Sequence, residues 1–150
     1  MRLVVQRVLN SKCEVDGNIT GQIEKGYMVL VGFGLDDNED IARKMANKLA
    51  KLRVFDDEDG KMNLSIFDVK GKILSISQFT LYADASKGNR PSFVNAMPGK
   101  DSIALYKYFN ECLRELNLEV EEGVFGADMK ISLVNDGPVT IILDSKEILW

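Results

Sequence analysis

Asn135-Asp136-Gly137-Pro138-Val139-Thr140 interrupts the most strand-like part of the chain. Met129-Lys130-Ile131-Ser132-Leu133-Val134 runs into it and Ile141-Ile142-Leu143 runs out of it. Proline has no amide hydrogen to give a sheet ladder, so central strands exclude it. Asn-Asp-Gly ahead of proline is turn chemistry. Two β-prone runs therefore meet at a kink that presents the carbonyls around Gly137 and Pro138. The residues alone leave two readings, an ordinary hairpin loop or a kink kept for what its carbonyls can hold.

Outward from that kink the pattern is α+β. Residues 2–15 are rich in Val and Leu and close on Asp16-Gly17, a hairpin signal, with residues 19–23 returning. Tyr27-Met28-Val29-Leu30-Val31-Gly32-Phe33 is a continuous apolar run and reads as a buried strand. Ile41, Met45, Leu49 and Leu52 recur at helical spacing behind Asp36-Asp37-Asn38, which supply a cap, while Lys44, Lys48 and Lys51 take the other faces. Arg53-Val54-Phe55 reads as a short strand and residues 56–61 as a turn. Residues 73–81 read as a strand with a polar C-terminal end, followed by a long irregular connection over 82–98. Leu105, Phe109, Cys112, Leu113 and Leu116 mark a second helix, with Asp101 or Ser102 as its cap, and 118–124 is strand-like again. The reading is a single domain over residues 1–150: a largely antiparallel, barrel-like sheet with two main helices packed on it.

Composition narrows the function classes. A chain of 150 residues suits one domain with a full core. No apolar run approaches the roughly 20 residues that span a bilayer. Residues 1–8 read as a first strand rather than a signal peptide, so no membrane contact and a cytoplasmic location are expected. Cys13 and Cys112 make neither a disulfide framework nor a zinc site and read as buried free thiols. There is no histidine, which excludes Ser-His-Asp and Cys-His catalysis within the chain. A net charge of −4 opposes a general nucleic-acid coat. Asp56-Asp57-Glu58-Asp59-Gly60 has the look of a calcium loop but lacks the ligand spacing and terminal Glu, so neither metal nor cofactor is expected.

Two further stretches carry possible chemistry. Ser77-Gln78-Phe79-Thr80 places two hydroxyls and an amide at a strand end, where they can orient a small polar substrate. A regular strand there sends Ser77 and Phe79 one way and Gln78 and Thr80 the other, so a cluster requires the strand end to bend. Lys87-Gly88-Asn89-Arg90 is a short basic patch, either a solvated turn or a contact for phosphates.

Taken in order, Val5-Gln6-Arg7-Val8, Gly60-Lys61-Met62-Asn63, Ser77-Gln78-Phe79-Thr80-Leu81-Tyr82-Ala83-Asp84, Lys87-Gly88, Arg90-Pro91-Ser92-Phe93, Phe125-Gly126-Ala127-Asp128-Met129 and Asn135-Asp136-Gly137-Pro138-Val139-Thr140 resemble the signature blocks of the D-aminoacyl-tRNA deacylases. The chain departs from that pattern at Ala85-Ser86 and Asn89, where the family commonly has Thr-Arg and Arg. The resemblance implies a homodimer in which Gly137 and Pro138 form a cis peptide and enter the partner's pocket, with Arg7 holding the loop. It implies catalytic roles for Ser77, Gln78, Phe79 and Thr80, substrate walls at Phe125 and Met129, and tRNA contact by Lys87 and Arg90. The implied partner is the 3′ end of aminoacyl-tRNA. The implied reaction is hydrolysis of the D-aminoacyl ester, with glycyl esters admitted and L-aminoacyl esters rejected by clash. Thr80 as nucleophile has no strong base nearby in sequence, which favours attack by water with backbone N–H groups of Phe79 and Thr80 on the oxyanion. The competing class is a non-catalytic RNA- or nucleotide-binding module using the same groove and basic loop.

Overall fold

The computed structural model describes residues 1–148. Its spine is β1 (Arg2–Val15). One edge of β1 pairs along almost its whole length with β8 (Lys130–Asp144). Its other edge is shared: residues 2–8 pair β3 (Gly26–Gly32) and residues 11–15 pair β2 (Asn18–Ile23), all antiparallel. Beyond β3 come β6 (Lys72–Ser77) and β7 (Val120–Glu122). Thr20 on β2 reaches the Glu122 carbonyl at the far end, so the sheet curls almost into a barrel.

The sheet is mixed rather than largely antiparallel, because β3, β6 and β7 run parallel to one another. The connections explain this. The chain between β3 and β6 contains α1 (Glu39–Ala50), and that between β6 and β7 contains α2 (Gly99–Glu115). A helical crossover carries the chain back to the end where the previous strand began, which makes the next strand parallel. Both helices were legible in the sequence, and the parallel pairs are their consequence.

The apolar stripes go where their spacing directs. Ala42, Met45, Ala46 and Leu49 of α1 and Leu105, Phe109 and Leu113 of α2 pack on Leu3, Val5, Tyr27, Val29 and Val31. A second cluster, Val8, Cys13, Ile23, Met28, Leu74 and Ile76, fills the inside of the curl. Cys13 and Cys112 are free and buried. Asn38 caps α1, its side chain accepting from the Ile41 N–H at 3.0 Å. Neither Asp101 nor Ser102 caps α2: the helix starts at Gly99 behind Pro98, and the Ser102 hydroxyl donates to the Gly99 carbonyl instead. Two small elements carried no sequence signal. One is β5 (Met62–Leu64), which pairs β4 (Phe55–Asp56), and the other is α3 (Ser145–Ile148). Among the described residues no helix is long and apolar enough to cross a membrane.

The kink is not a hairpin. Thr140 pairs Gln6 and Asn135 pairs Val8, so both halves of β8 lie on the same strand. Arg7 alone stands between those pairs on β1, opposite Asp136, Gly137, Pro138 and Val139 on β8. The surplus residues bulge out of the ladder. Gly137 and Pro138 are exposed there, and the bond joining them is cis.

Candidate active site

Parallel strands send their C-terminal ends to one side, where sheets with helical crossovers leave a crevice. Here that crevice is a cavity of about 300 Å³. Val31 and Phe33 line it from the end of β3, Ser77, Gln78 and Phe79 from the end of β6, and residues 125–129 from the segment after β7. Met97 and Ser102 close it at the start of α2.

The strand read over 73–81 stops at Ser77. The Gln78 N–H makes a last bond to the Val31 carbonyl at 2.7 Å. The chain then winds one 3₁₀ turn over Phe79–Tyr82. Gly32 permits this: a Cβ there would lie 2.9 Å from the Gln78 carbonyl oxygen and 3.0 Å from Leu81 Cβ. The strand end therefore bends, and the two-faced alternation of residues 77–80 is lost. Gln78 Nε2 donates to Thr80 Oγ1 inside the turn. The N–H groups of Phe79 and Thr80 open the turn and have no backbone acceptor among the described residues, as expected of the first donors of a helical segment. The Phe79 ring stands exposed and meets Phe93 edge-on at 5.0 Å.

Across the cavity, Phe125 rests on Tyr106 with ring centroids 5.9 Å apart. The Tyr106 hydroxyl donates to the Ser75 carbonyl at 2.7 Å. Burial pushes this phenol up, against the pull of its contacts with Ser75 and Asn110. Asp128 is the one carboxylate among the described lining residues, and it faces solvent and pairs with Lys130 at 3.1 Å. Among the described residues no group of three or more His, Cys, Asp or Glu is placed to hold a metal. What the cavity offers is an apolar wall, two serine hydroxyls and an amide, with unbonded backbone donors on the turn that bounds it.

Arg7 is buried under the bulge. Its Nε donates to the Asp136 carbonyl at 3.1 Å, and its Nη1 donates to the Val54 carbonyl at 2.7 Å and to the Asp56 carboxylate at 3.3 Å. The Asp136 carboxylate lies 3.4 Å from Nε. A buried guanidinium is tolerable only when paired and bonded in this way. Gly137 has φ +124°, and a Cβ on it would lie 3.0 Å from Val139 Cγ2 and 3.1 Å from Arg7 Nη2.

The fold thus brings Ser77, Gln78, Phe79, Phe125 and Met129 around one cavity. Thr80 sits exposed on the turn beside it, outside the lining. Gly137 and Pro138 do not line their own chain's cavity. Lys87 and Arg90 lie on an exposed loop pinched at its base by paired N–H···O bonds between Asp84 and Ser92, both 2.8 Å. Nothing in the sequence marks Val31, Phe33, Met97 or Ser102 as site residues. The first two are indistinguishable there from core strand residues, Met97 lay in the irregular connection, and a serine at a helix start reads as a cap.

Three comparisons bear on this arrangement. Residues 4–144 match the family model described as D-Tyr-tRNA(Tyr) deacylase. The chain is similar to the D-aminoacyl-tRNA deacylase of Deinococcus radiodurans, 58% identical with 96% of this chain and 99% of that one covered. It is 52% identical to the protein of the same name from Thermosipho africanus, over 99% of each. Among solved structures it resembles a c-Myc DNA unwinding element binding protein, with a TM-score of 0.90 and 41% identity over 96% of this chain and 98% of that one. A probable eukaryotic D-amino acid tRNA deacylase shares the fold, with a TM-score of 0.80 and 18% identity over 95% and 97%.

Proposed function

The chain belongs to the D-Tyr-tRNA(Tyr) deacylase family and is a hydrolase, a D-aminoacyl-tRNA deacylase, and we propose that it cleaves its ester with backbone donors and selects its substrate with a loop from a second copy. The observation that carries the chemistry is the pair of unengaged N–H groups at Phe79 and Thr80, on the turn that bounds the cavity. When the ester carbonyl is attacked, negative charge gathers on its oxygen. Donors already aimed there stabilise that charge without rearrangement, and one such donor is worth about a hundredfold or more in rate.

The attacking group in this reading is water, assisted by the ribose hydroxyl next to the ester. Thr80 Oγ1 accepts from an amide and has no carboxylate or amine bonded to it among the described residues, so nothing is in place to make it a nucleophile. Ser77 and Gln78 orient the ester and the terminal adenosine, which stacks against the wall made by Phe125 and Met129. Lys87 and Arg90 reach phosphates on the tRNA. No cofactor or metal enters this route, and its setting is the aminoacyl-tRNA pool of the cytoplasm.

Selection falls to Gly137 and Pro138 of a partner. Both are exposed on β8, whose second edge has no partner strand among the described residues. Exposed Val134 and Ile142 lie on the same strand. A long bare edge with apolar side chains invites another chain, and a two-fold dimer gives each cavity the other's bulge. Carbonyls there accept the α-ammonium of the substrate. With ammonium and ester both fixed, an L side chain strikes the loop, a D side chain points away, and glycine passes.

A second reading, a nucleic-acid-binding module without catalysis, draws on the likeness to the DNA unwinding element binding protein. The net charge of −4 and a cavity of about 300 Å³ fit a single terminal nucleotide better than a duplex. The deciding experiment incubates the protein with D-, L- and glycyl-tRNA and follows free amino acid. Multiple turnovers on the D and glycyl esters are expected. Stoichiometric binding with no release selects the binding module.

A further inference from the structure

Tyr106, Asn110 and Arg114 recur every fourth residue on α2, so they form one polar stripe along a helix that otherwise faces the core with Leu and Phe. Tyr106 and Asn110 are buried. The stripe holds two strands at once. Tyr106 donates to the Ser75 carbonyl of β6 at 2.7 Å. Asn110 Nδ2 donates to Glu122 Oε1 of β7 at 2.9 Å, and Arg114 Nη2 donates to Glu122 Oε2 and to the Val120 carbonyl, both at 2.8 Å. Ser75 lies two residues before Ser77, and Glu122 three before Phe125. Those are the opposite walls of the cavity, and the Tyr106 ring also touches Phe125.

An apolar stripe of similar volume would stabilise this packing at least as well, since buried polar pairs are weak sources of stability. What directional bonds add is a fixed register between helix and strands. We infer that Tyr106, with Asn110, Arg114 and Glu122, forms a positioning frame that sets the distance between the Ser77–Phe79 wall and the Phe125 wall, and so the aim of the backbone donors. None of the four touches the reacting atoms in this scheme. The inference rests on the deacylase reading for its kinetic consequence.

The test is Tyr106→Phe in the full chain, which keeps the ring against Phe125 and removes one hydroxyl. The Ser75 carbonyl retains the Gly123 N–H at 3.2 Å, so the ladder remains. Since misaimed donors weaken the transition state and not the bound ester, kcat on D-aminoacyl-tRNA should fall about tenfold while KM stays within about twofold. Glu122→Gln should act in the same direction, and the double variant should lose less than the product of the two, because both loosen one frame. Amide exchange at Gln78, whose N–H is bonded to the Val31 carbonyl at 2.7 Å, followed by NMR, should quicken in both variants. An altered KM with unchanged kcat, or a lower melting temperature with unchanged kcat and unchanged exchange, overturns the frame. If Tyr106→Phe does not fold, Glu122→Gln decides alone. Absence of turnover in the unmodified protein would sink the deacylase reading instead, and the exchange rates would still decide the frame.

Discussion

At the scale of the residue, Gly137 concentrates most of what is specific to this chain. Its φ of +124° is a conformation that side chains rarely adopt, and a methyl group there would press on Arg7 Nη2 at 3.1 Å. Arg7 cannot yield easily because three other residues hold it. Gly137→Ala should therefore move the bulge rather than be absorbed. The expected outcome is D-aminoacyl-tRNA hydrolysis within about fivefold of the parent and a rise of about tenfold or more in L-aminoacyl-tRNA hydrolysis, since a clash of the kind proposed for L side chains is worth only a few kcal/mol. Rates on both esters that match the parent's would remove the loop from selection. The sequence marked this glycine correctly as part of a kink but could not say which kind. Asn-Asp-Gly-Pro serves a hairpin and a bulge alike, and the choice depends on which strand lies opposite.

At the scale of the element, the bulge of β8 is tied to the β4–β5 ribbon by one buried side chain. Arg7 spans them with bonds to the Asp136 and Val54 carbonyls and to Asp56. Replacing it by alanine leaves two carbonyls without donors and two carboxylates without their cation. Asp56 is half exposed and water will serve it, so its share is small. The carbonyl bonds to a charged donor are the larger part, and Arg7→Ala should cost about 2–4 kcal/mol, read as a lower urea midpoint with an unchanged slope. A loss below about 0.5 kcal/mol would place the tether elsewhere. Element types were mostly legible: apolar runs gave β1, β3 and β8, and helical spacing gave α1 and α2. The errors arose where a distant residue decides the outcome. The strand after Ile73 ends early because Gly32 on another strand lets the turn settle against it. The cavity joins the ends of three strands far apart in sequence, so only its polar strand end and its Phe-Gly block stood out beforehand.

At the scale of the whole molecule, two properties can be checked without knowing any substrate pose in detail. The first is alkaline stability. Burial pushes the phenols of Tyr27 and Tyr106 above the usual 10.0. Below that value both folded and unfolded chains are protonated and the stability is complete. Above it the unfolded chain ionises first, so stability falls by up to about 1.4 kcal/mol per pH unit for each such tyrosine until the folded phenol titrates. Tyr27 has a buried hydroxyl without a partner among the described residues, so Tyr27→Phe should cost little at neutral pH. It should flatten the fall in melting temperature above about pH 10. An alkaline limb as steep as the parent's would mean that the phenol is not shielded.

The second is the proposed cross-subunit site, which subunit mixing can test because the cavity and the bulge lie in different parts of each chain. One chain carries Gln78→Ala, which disables its cavity but leaves its bulge native. The other carries Gly137→Ala, with a native cavity and a faulty bulge. In a two-fold dimer of one of each, the native cavity receives the native bulge, and the disabled cavity receives the faulty one. Excess Gln78→Ala chain, added to a fixed amount of Gly137→Ala chain and allowed to exchange, should therefore suppress L-aminoacyl-tRNA hydrolysis. Hydrolysis of the D ester should stay near its starting rate. If each bulge served its own chain, the native cavity would keep its faulty loop in every pairing. L-ester hydrolysis would then be indifferent to the added chain, and the bare edge of β8 would need another explanation.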